Sequence, residues 1–140
     1  MNVLVTGANG FVGQHLCDHL TRNGINTYAL LRDASHKLNA KDKFVVKDFF
    51  NCTEWGKILN GIDVVIHTAG LAHAKGRPDK DYYDINTKMT EILALECIKA
   101  GVRRFVYMSS LSVHGIYSSE TILTPQSSCH TATAYGKSKL

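Results

Sequence analysis

The sequence predicts an α/β protein built on a doubly wound parallel sheet. Short apolar segments rich in β-branched residues alternate along the chain with segments of helical periodicity. The apolar segments lack a polar face, as expected of strands that helices cover on both sides. Right-handed crossovers between such strands favour the doubly wound arrangement. The order of the strands in the sheet does not follow from these patterns.

The first half of the chain is predicted to hold five elements. In order they are a strand, a helix, two strands and a short helix, at residues 2–6, about 11–22, 26–31, 43–47 and 53–61. In the first helix, Val12, Leu16 and Leu20 recur at helical spacing before Asn23-Gly24. Thr53 is expected to cap the short helix, and Gly61 to end it.

The second half is predicted to continue the alternation. A buried strand spans 63–70, a long helix runs from about 80 to 100 before Gly101, and a further strand spans 103–110. The segment 111–132 is polar and irregular. A last helix is expected to start near Thr133 and to be cut short by the end of the sequence.

Composition excludes several classes of protein. The chain is 44% hydrophobic and 20% charged, which suits a single soluble domain. Its formal charge of +4 is scattered rather than gathered in a patch, so no nucleic-acid partner is expected. Its four cysteines form no C-x-x-C pair, which argues against a zinc site or a disulfide framework. No apolar run reaches a membrane span and no signal peptide is evident, so we expect a cytoplasmic protein with no membrane partner.

A glycine-rich loop follows the first predicted strand. In "TGANGFVG", Gly7, Gly10 and Gly13 are spaced G-x-x-G-x-x-G, and Phe11 and Val12 lie between the last two. Glycines at such a turn allow the backbone to approach a pyrophosphate, and the following helix directs its N-terminus at the negative oxygens. Between a strand and a helix, this loop predicts nucleotide binding.

The second predicted strand ends in "LLRD", where an acidic residue would normally bind the ribose of NAD. Arg32 stands where the chain leaves the sheet, and Asp33 follows it. An arginine here can bind the 2′-phosphate of NADP through bidentate, charge-assisted hydrogen bonds. Either NAD or NADP therefore fits the sequence, with Arg32 favouring NADP.

With "HTAG", "SSLSVHG" and "YGKSK" added to the glycine loop, the chain resembles the extended short-chain dehydrogenase/reductases. More narrowly, it is similar to the NAD-dependent epimerase/dehydratase family, which includes UDP-glucose 4-epimerases and nucleotide-sugar 4-keto reductases. The resemblance implies that residues 1–140 are a Rossmann-like NAD(P)-binding domain. It also implies an incomplete one, because the family continues with a further strand and a C-terminal domain that binds the nucleotide sugar. Lys139 would then lie in a frayed, poorly held last turn, and these residues alone would show little or no sugar turnover.

The resemblance also assigns roles to individual residues. The glycine loop would bind the pyrophosphate, and two residues after the third strand would contact adenine. Two residues after the fourth strand would lie beside the centre of the cofactor, and a helix asparagine would have both a structural and a proton-relay role. In that order these residues are Gly7, Gly10, Gly13, Asp48, Phe49, Ala69, Gly70 and Asn86. Ser110, Tyr135 and Lys139 match the catalytic serine, tyrosine and lysine.

Tyr135 and Lys139 are four residues apart, one turn of a helix. An ammonium at that spacing favours the phenolate, which could take a proton from a sugar hydroxyl while hydride leaves the same carbon. Lys139 would also hold the nicotinamide ribose, and Ser110 would hydrogen-bond the reacting oxygen. This chemistry serves an NAD(P)-dependent 4-epimerase or a 4-keto reductase acting on a nucleotide sugar, most simply a UDP-sugar.

Two alternatives stay open at this point. A 4,6-dehydratase would need an acid pair near the catalytic serine, and "SSLSVHG" offers no carboxylate there. A non-catalytic dinucleotide sensor would not need Ser110, Tyr135 and Lys139. The family often dimerises through its two long helices, so a homodimer of the full-length protein is expected around residues 80–100 and the last helix.

Four histidines are candidate site residues. His114 stands where many relatives have tyrosine, and His73 follows the fourth strand, so either could contact the sugar. His15 and His19 have a spacing that can bind metal, but no glutamate follows His15 in H-E-x-x-H fashion, and no metal site is expected.

Overall fold

Five parallel strands form a sheet in a computed structural model that describes residues 1–33, 37–72, 76–115 and 122–140. Their order across the sheet is β3-β2-β1-β4-β5, and every neighbouring pair is parallel. The strands are β1 (Asn2–Thr6), β2 (Asn26–Leu31), β3 (Asp42–Val45), β4 (Val64–His67) and β5 (Arg104–Tyr107). The predicted parallel sheet is confirmed, and β1 lies at its centre.

Helices connect the strands. They are α1 (Phe11–Arg22), α2 (Trp55–Ile58), α3 (Asp79–Tyr82), α4 (Met89–Lys99) and α5 (Ala134–Ser138). A π-helical turn, Tyr83–Lys88, joins α3 to α4, and a 3₁₀ turn, Leu111–His114, follows β5. The bounds of α1 agree with the prediction, and Gly101 follows the long helical segment with a φ of 72°. The π-helical turn was not predicted.

Two apolar clusters cover opposite faces of the sheet, because side chains alternate along each strand. Val3 and Val5 of β1 pack with Cys17 of α1 in one cluster. Leu4 of the same strand packs in the other, with residues that include Trp55 of α2 and Leu93 of α4. Helices on both faces make the sheet doubly wound, as expected.

The later strands are shorter than predicted because each ends where its neighbour ends. β4 pairs with β1 only as far as His67, opposite Thr6, and β5 pairs with β4 only as far as Tyr107. Just beyond β5, the Met108 amide still donates to the His67 carbonyl oxygen, at 3.1 Å. β3 likewise stops at Val45, beside the end of β2 at Leu31.

The predicted cap of the short helix was wrong. Glu54, not Thr53, occupies the N-cap position of α2, and its side chain makes no capping hydrogen bond. The Glu54 carbonyl oxygen accepts from the amides of Lys57 and Ile58, at 2.9 and 3.0 Å. The first helical hydrogen bonds therefore start one residue after Thr53.

The chain divides into two compact units. The first, here called the sheet unit, comprises Met1–Gly70 and Met89–Met108 and contains the sheet with α1, α2 and α4. The second, here called the helix unit, comprises Leu71–Lys88 and Ser109–Leu140 and contains α3, both irregular turns and α5. Within the four described ranges, no helix has the length and apolar character needed to cross a membrane.

Candidate functional site

The glycine loop of the sheet unit leaves no room for side chains at two positions. Gly7 has a φ of 63°, and a Cβ there would lie 2.7 Å from the backbone of Ala69. A Cβ on Gly13 would clash with the carbonyl oxygen of Gly7 and lie 2.8 Å from the Ala8 Cα. Because the obstructing atoms belong to the backbone, they cannot move aside as a flexible side chain would. The loop therefore requires glycine at both positions for its own close packing, and the approach of a pyrophosphate stays a prediction.

The N-terminus of α1 has no side-chain cap. Gly10 is the N-cap residue, and its amide donates to the Gly7 carbonyl oxygen at 2.9 Å. The first amides of a helix have no partner within it, so without a side-chain cap they are available to an anion. Phe11 and Val12 begin the helix with exposed side chains, 82% and 48% accessible. A tight glycine turn before an uncapped helix fits the pyrophosphate of a dinucleotide.

A buried hydrogen-bond network holds the strand ends behind this loop. His67 is inaccessible to solvent, with its Nδ1 2.6 Å from the Thr6 hydroxyl and its Nε2 3.0 Å from the Thr90 hydroxyl. The Thr68 hydroxyl donates to the Thr6 carbonyl oxygen at 2.6 Å. The Ala69 amide points at the Thr6 hydroxyl over 3.3 Å. The network joins the carboxyl ends of β1 and β4 and fixes Ala69 against Gly7.

This network was not predicted from the sequence. The available signal was a histidine inside the otherwise apolar run "DVVIH", since a polar side chain buried in a sheet needs hydrogen-bond partners. Its partner in β1, Thr6, is 61 residues away in sequence. Only the pairing of the strands brings the two together.

The predicted cofactor-binding residues that follow β2, β3 and β4 lie outside the strands of the sheet unit. Arg32 directly follows β2 with an exposed side chain, as expected for a residue that leaves the sheet. Asp48 is exposed in a turn after β3, while the Phe49 ring is buried against Trp55, with ring centroids 4.7 Å apart. The Phe49 side chain therefore belongs to the core. Gly70 is exposed at the end of this part of the chain.

Asp48 is held in its charged form by the turn around it. Its carboxylate accepts from the Asn51 side-chain amide at 2.7 Å, and from the amides of Phe50 and Asn51 at 2.9 and 3.3 Å. The hydrogen bond from the Asn51 side chain, assisted by the two backbone amides, lowers the pKa of Asp48. The carboxylate is thus oriented before any ligand arrives.

In the helix unit, Tyr135 and Lys139 lie one turn apart at α5. The Thr133 hydroxyl caps the helix by accepting from the Gly136 amide at 3.0 Å, which confirms the predicted start. The rings of Tyr135 and Tyr82 meet edge to face, with centroids 6.2 Å apart. Lys139 is the C-cap residue, and burial lowers the pKa of its amine.

The expectation that Lys139 is frayed and poorly held was wrong. Its side chain is only 6% accessible. Its carbonyl oxygen accepts from the Ser109 hydroxyl at 2.8 Å, and its amide donates to the Gly136 carbonyl oxygen at 3.1 Å. A side-chain donor outside the helix thus satisfies a C-terminal carbonyl group that the helix itself cannot satisfy.

Ser110 and α5 are joined through close packing in the helix unit. Ser110 caps the 3₁₀ turn, its hydroxyl accepting from the Ser112 amide at 3.2 Å. Gly136 of α5 packs on that turn, since a Cβ there would lie 2.7 Å from the Ser112 carbonyl oxygen and would clash with the Thr131 hydroxyl. The absence of a side chain at Gly136 thus sets how closely α5 approaches the turn that begins at Ser110.

Asn86 is fully buried in the π-helical turn and reaches two parts of the helix unit. Its amide nitrogen donates to the Leu71 carbonyl oxygen and to the Ser138 hydroxyl, both at 2.9 Å. Its side-chain oxygen accepts from the Leu71 amide at 2.6 Å. The predicted role of Asn86 as a structural residue is consistent with these contacts, and the proton-relay role stays a prediction.

His114 and His15 each place a ring nitrogen near a backbone carbonyl oxygen. A ring nitrogen of His114 lies 3.1 Å from the Ser128 carbonyl oxygen, and one of His15 lies 2.9 Å from the Phe11 carbonyl oxygen. His73 lies outside the described residues. In the part of the chain that the structure describes, no three His, Cys, Asp or Glu side chains cluster as metal ligands would.

Comparison with known proteins identifies the family of this chain. The model of the NAD-dependent epimerase/dehydratase family matches residues 3–140. The UDP-glucose 4-epimerase of Vibrio cholerae is 34% identical over 120 residues, 81% of this chain and 36% of that protein. A UDP-glucose 4-epimerase of Klebsiella pneumoniae is 33% identical over 129 residues, 82% of this chain and 93% of that sequence.

A solved structure that is similar to this chain is also that of a 4-epimerase. The UDP-glucuronic acid 4-epimerase from Bacillus cereus, in complex with UDP-glucuronic acid and NAD, has a TM-score of 0.85 at 28% identity. The match covers 99% of this chain and 49% of that one. This chain therefore spans about half or less of the Bacillus and Vibrio proteins.

Proposed function

The chain belongs to the NAD-dependent epimerase/dehydratase family, and on that premise we propose that the protein is a nucleotide-sugar 4-epimerase. The observation that carries the proposal is Lys139, buried one helical turn from Tyr135. Burying a cation is costly, and side chains whose pKa is perturbed by burial cluster at functional sites, where an ammonium beside a phenol can serve proton transfer. A UDP-sugar is the proposed substrate, because the relatives named above act on or bind UDP-sugars.

The sheet unit is proposed to bind the cofactor. Gly7, Gly10 and Gly13 would receive the pyrophosphate on a turn that has no room for a side chain at Gly7 or Gly13. Asp48, which its turn holds in the charged form, would accept a hydrogen bond from adenine. When bound, the oxidised nicotinamide supplies a hydride acceptor for the sugar carbon.

The helix unit is proposed to supply the proton chemistry. Tyr135, as phenolate, takes the proton from the sugar hydroxyl and returns it when the ketone is reduced again. The Lys139 ammonium favours that phenolate and holds the nicotinamide ribose. Ser110 hydrogen-bonds the reacting oxygen, and the 3₁₀ turn that it caps holds its hydroxyl in place.

Arg32 favours a second candidate, a 4-keto reductase that uses NADPH. The residue is exposed where β2 ends, the position from which a guanidinium could bind a 2′-phosphate. The Bacillus cereus structure, by contrast, holds NAD. We propose that the protein accepts either dinucleotide and that Arg32 determines its affinity for NADP.

Titration of the chain with NADH and NADPH, followed by nicotinamide fluorescence, tests the cofactor proposal. We expect the chain to bind both. Arg32→Ala should weaken the affinity for NADPH by roughly tenfold, the effect of losing one charge-assisted contact, and should change the affinity for NADH by less than about twofold. Lys37→Ala, at an exposed residue of the same loop, is the matched control. Failure of both ligands to bind would contradict the proposal.

Turnover is the second test. We propose that residues 1–140 are the dinucleotide-binding part and that the remaining length of the relatives holds the sugar, so the chain alone should show little or no epimerisation of UDP-glucose. The full-length protein should epimerise a UDP-sugar, and Tyr135→Phe should abolish this while Tyr83→Phe does not. Cofactor binding by a full-length protein that turns over no sugar would instead favour a dinucleotide sensor.

We further propose that the full-length protein forms a homodimer through the helical segment 79–99. Leu95 and Ile98 of α4 are 51% and 75% accessible and, three positions apart, lie on the same face of the helix. Sedimentation of the full-length protein should give a dimer that Ile98→Glu dissociates, and a monomeric parent protein would exclude it.

A further inference from the structure

The end of α5 is held by hydroxyl groups for which the proposed chemistry has no use. The Thr87 hydroxyl donates to the Ser138 carbonyl oxygen at 3.1 Å, and the Ser138 hydroxyl donates to the Tyr135 carbonyl oxygen at 2.8 Å. The Ser138 hydroxyl also accepts from the fully buried Asn86 amide at 2.9 Å. From these contacts we propose that Thr87 and Ser138 are positioning residues that fix Tyr135 and Lys139 for the nicotinamide half of the cofactor, an inference that rests on the function proposed above.

The short length of α5 makes such contacts necessary. A helix of five residues is too short to be stable by its own hydrogen bonds, so tertiary contacts must determine its orientation. Ser138 lies between Tyr135 and Lys139 in the sequence and is 3% accessible. A rotation of α5 about its axis would break the hydrogen bonds from the Asn86 amide to the Ser138 hydroxyl and from the Thr87 hydroxyl to the Ser138 carbonyl oxygen, and it would move both functional side chains.

The π-helical turn carries both of the residues that contact Ser138. In an α-helix, neighbouring side chains point in different directions. A π-helical turn contains an extra residue, and such turns are rare and often occur at functional sites. Here Asn86 and Thr87 both contact Ser138, one through its hydroxyl and the other through its carbonyl group.

The contacts continue on the other side of Asn86. Its side chain exchanges two hydrogen bonds with the Leu71 backbone, at 2.6 and 2.9 Å, and so holds the start of the helix unit. A hydrogen-bonded path therefore runs from Leu71 through Asn86 and Ser138 to the carbonyl group of Tyr135. The path ends on the backbone of Tyr135, so it orients the residue without using the phenol.

Two probes separate this role from a purely structural one. Adenosine diphosphate carries the pyrophosphate and adenine, for which the glycine loop and Asp48 are proposed. NADH adds the nicotinamide riboside, for which Tyr135 and Lys139 are proposed. A residue that positions Tyr135 and Lys139 should affect the affinity for NADH and leave that for adenosine diphosphate unchanged, whereas a general loss of folding should affect both.

The experiment titrates the 140-residue chain and its variants Ser138→Ala, Thr87→Val and Thr87→Ser with both probes, with circular dichroism as a check on folding. Ser138→Ala and Thr87→Val each remove one hydrogen bond between α5 and the π-helical turn. We therefore expect these two variants to weaken the binding of NADH by roughly 3- to 10-fold and to change that of adenosine diphosphate by less than about twofold. Thr87→Ser keeps the hydroxyl and should bind NADH as the parent chain does. Lys137→Ala, at an exposed position of α5, is the matched control.

The other outcomes are distinct. The inference would be overturned if the variants bind NADH as the parent chain does, or if they lose affinity for NADH and for adenosine diphosphate by the same factor. A parent chain that binds both probes equally well would also overturn it and leave dinucleotide binding intact. A parent chain that binds neither would remove the proposed function together with this inference. If Ser138→Ala does not fold, the Thr87 pair decides, because Thr87 is exposed and valine keeps its shape.

Discussion

Lys139 places an amine where little water reaches it. Its accessibility is 6%, and burial lowers its pKa from the ordinary value of 10.5. The folded chain therefore binds this proton less tightly than the unfolded chain does. Between the lowered pKa and 10.5, the unfolded state holds more protons, so the free energy of unfolding rises with pH in that interval.

Replacement of Lys139 by methionine removes this contribution. We expect the advantage of Lys139→Met over the parent chain in unfolding free energy to shrink as the pH rises through the lowered pKa toward 10.5. Urea unfolding at a series of pH values measures the difference, and its slope is judged against that of Lys137→Met, at an exposed lysine of the same helix. A difference that grows with pH would contradict the direction of the shift.

Two glycines with different surroundings test the packing of the dinucleotide loop. Gly13→Ala would force a Cβ against the Gly7 carbonyl group, and we expect a loss of about 1–3 kcal/mol in unfolding free energy together with loss of NADH binding. Gly56→Ala is the control, because no atom lies within 4 Å of a Cβ there. As Gly56 lies in α2, alanine should leave stability unchanged or raise it by up to about 1 kcal/mol. Equal effects of the two changes in chemical denaturation would show that the loop has more room than the structure gives it.

At the scale of elements, the contact between α5 and the 3₁₀ turn depends on Gly136. We expect Gly136→Ala to lower the unfolding free energy by about 1–3 kcal/mol, since its Cβ would press on the Ser112 carbonyl group and the Thr131 hydroxyl. Adding Thr131→Ala should restore only part of the loss, because the Ser112 carbonyl belongs to the backbone and remains. A double-mutant cycle by urea unfolding measures the coupling. Full recovery in the double variant would mean that Thr131 alone obstructs the site.

The elements also show what sequence can and cannot predict. The start of α5 at Thr133 and the glycine loop follow from local chemistry, and both were predicted. The end of β4 at His67 depends on the length of β1, a neighbour about 60 residues earlier, so local pattern placed it too late. The contacts of Ser138 with Asn86 and Thr87 span more than 50 residues and leave no local pattern.

At the scale of the molecule, one buried cysteine lies on each face of the sheet. Cys17 lies in the cluster under α1 and Cys97 in the cluster under α4, and burial raises the pKa of each thiol to about 11. β1 contributes to both clusters, so neither face can open while the other stays intact. The structure thus predicts that the two faces unfold as one.

Thiol labelling measures this. With the exposed Cys129 replaced by serine, we expect Cys17 and Cys97 to react with dithionitrobenzoate at pH 8 only through unfolding, and at one common rate. Mass spectrometry after quenching assigns each site. Labelling of Cys97 well ahead of Cys17 would show that the faces open separately.

The enclosed His67 gives the protein a built-in spectroscopic probe. Its imidazole lies between two threonine hydroxyls with no solvent contact, so its ring proton exchanges slowly with water and stays visible in a nitrogen-15 spectrum. Because Thr6 precedes Gly7 and also contacts the Ala69 amide, any ligand that spreads or tightens that turn shifts the resonance. Occupancy of the loop can therefore be followed through one native atom pair, without a fluorophore, a substrate or a turnover assay.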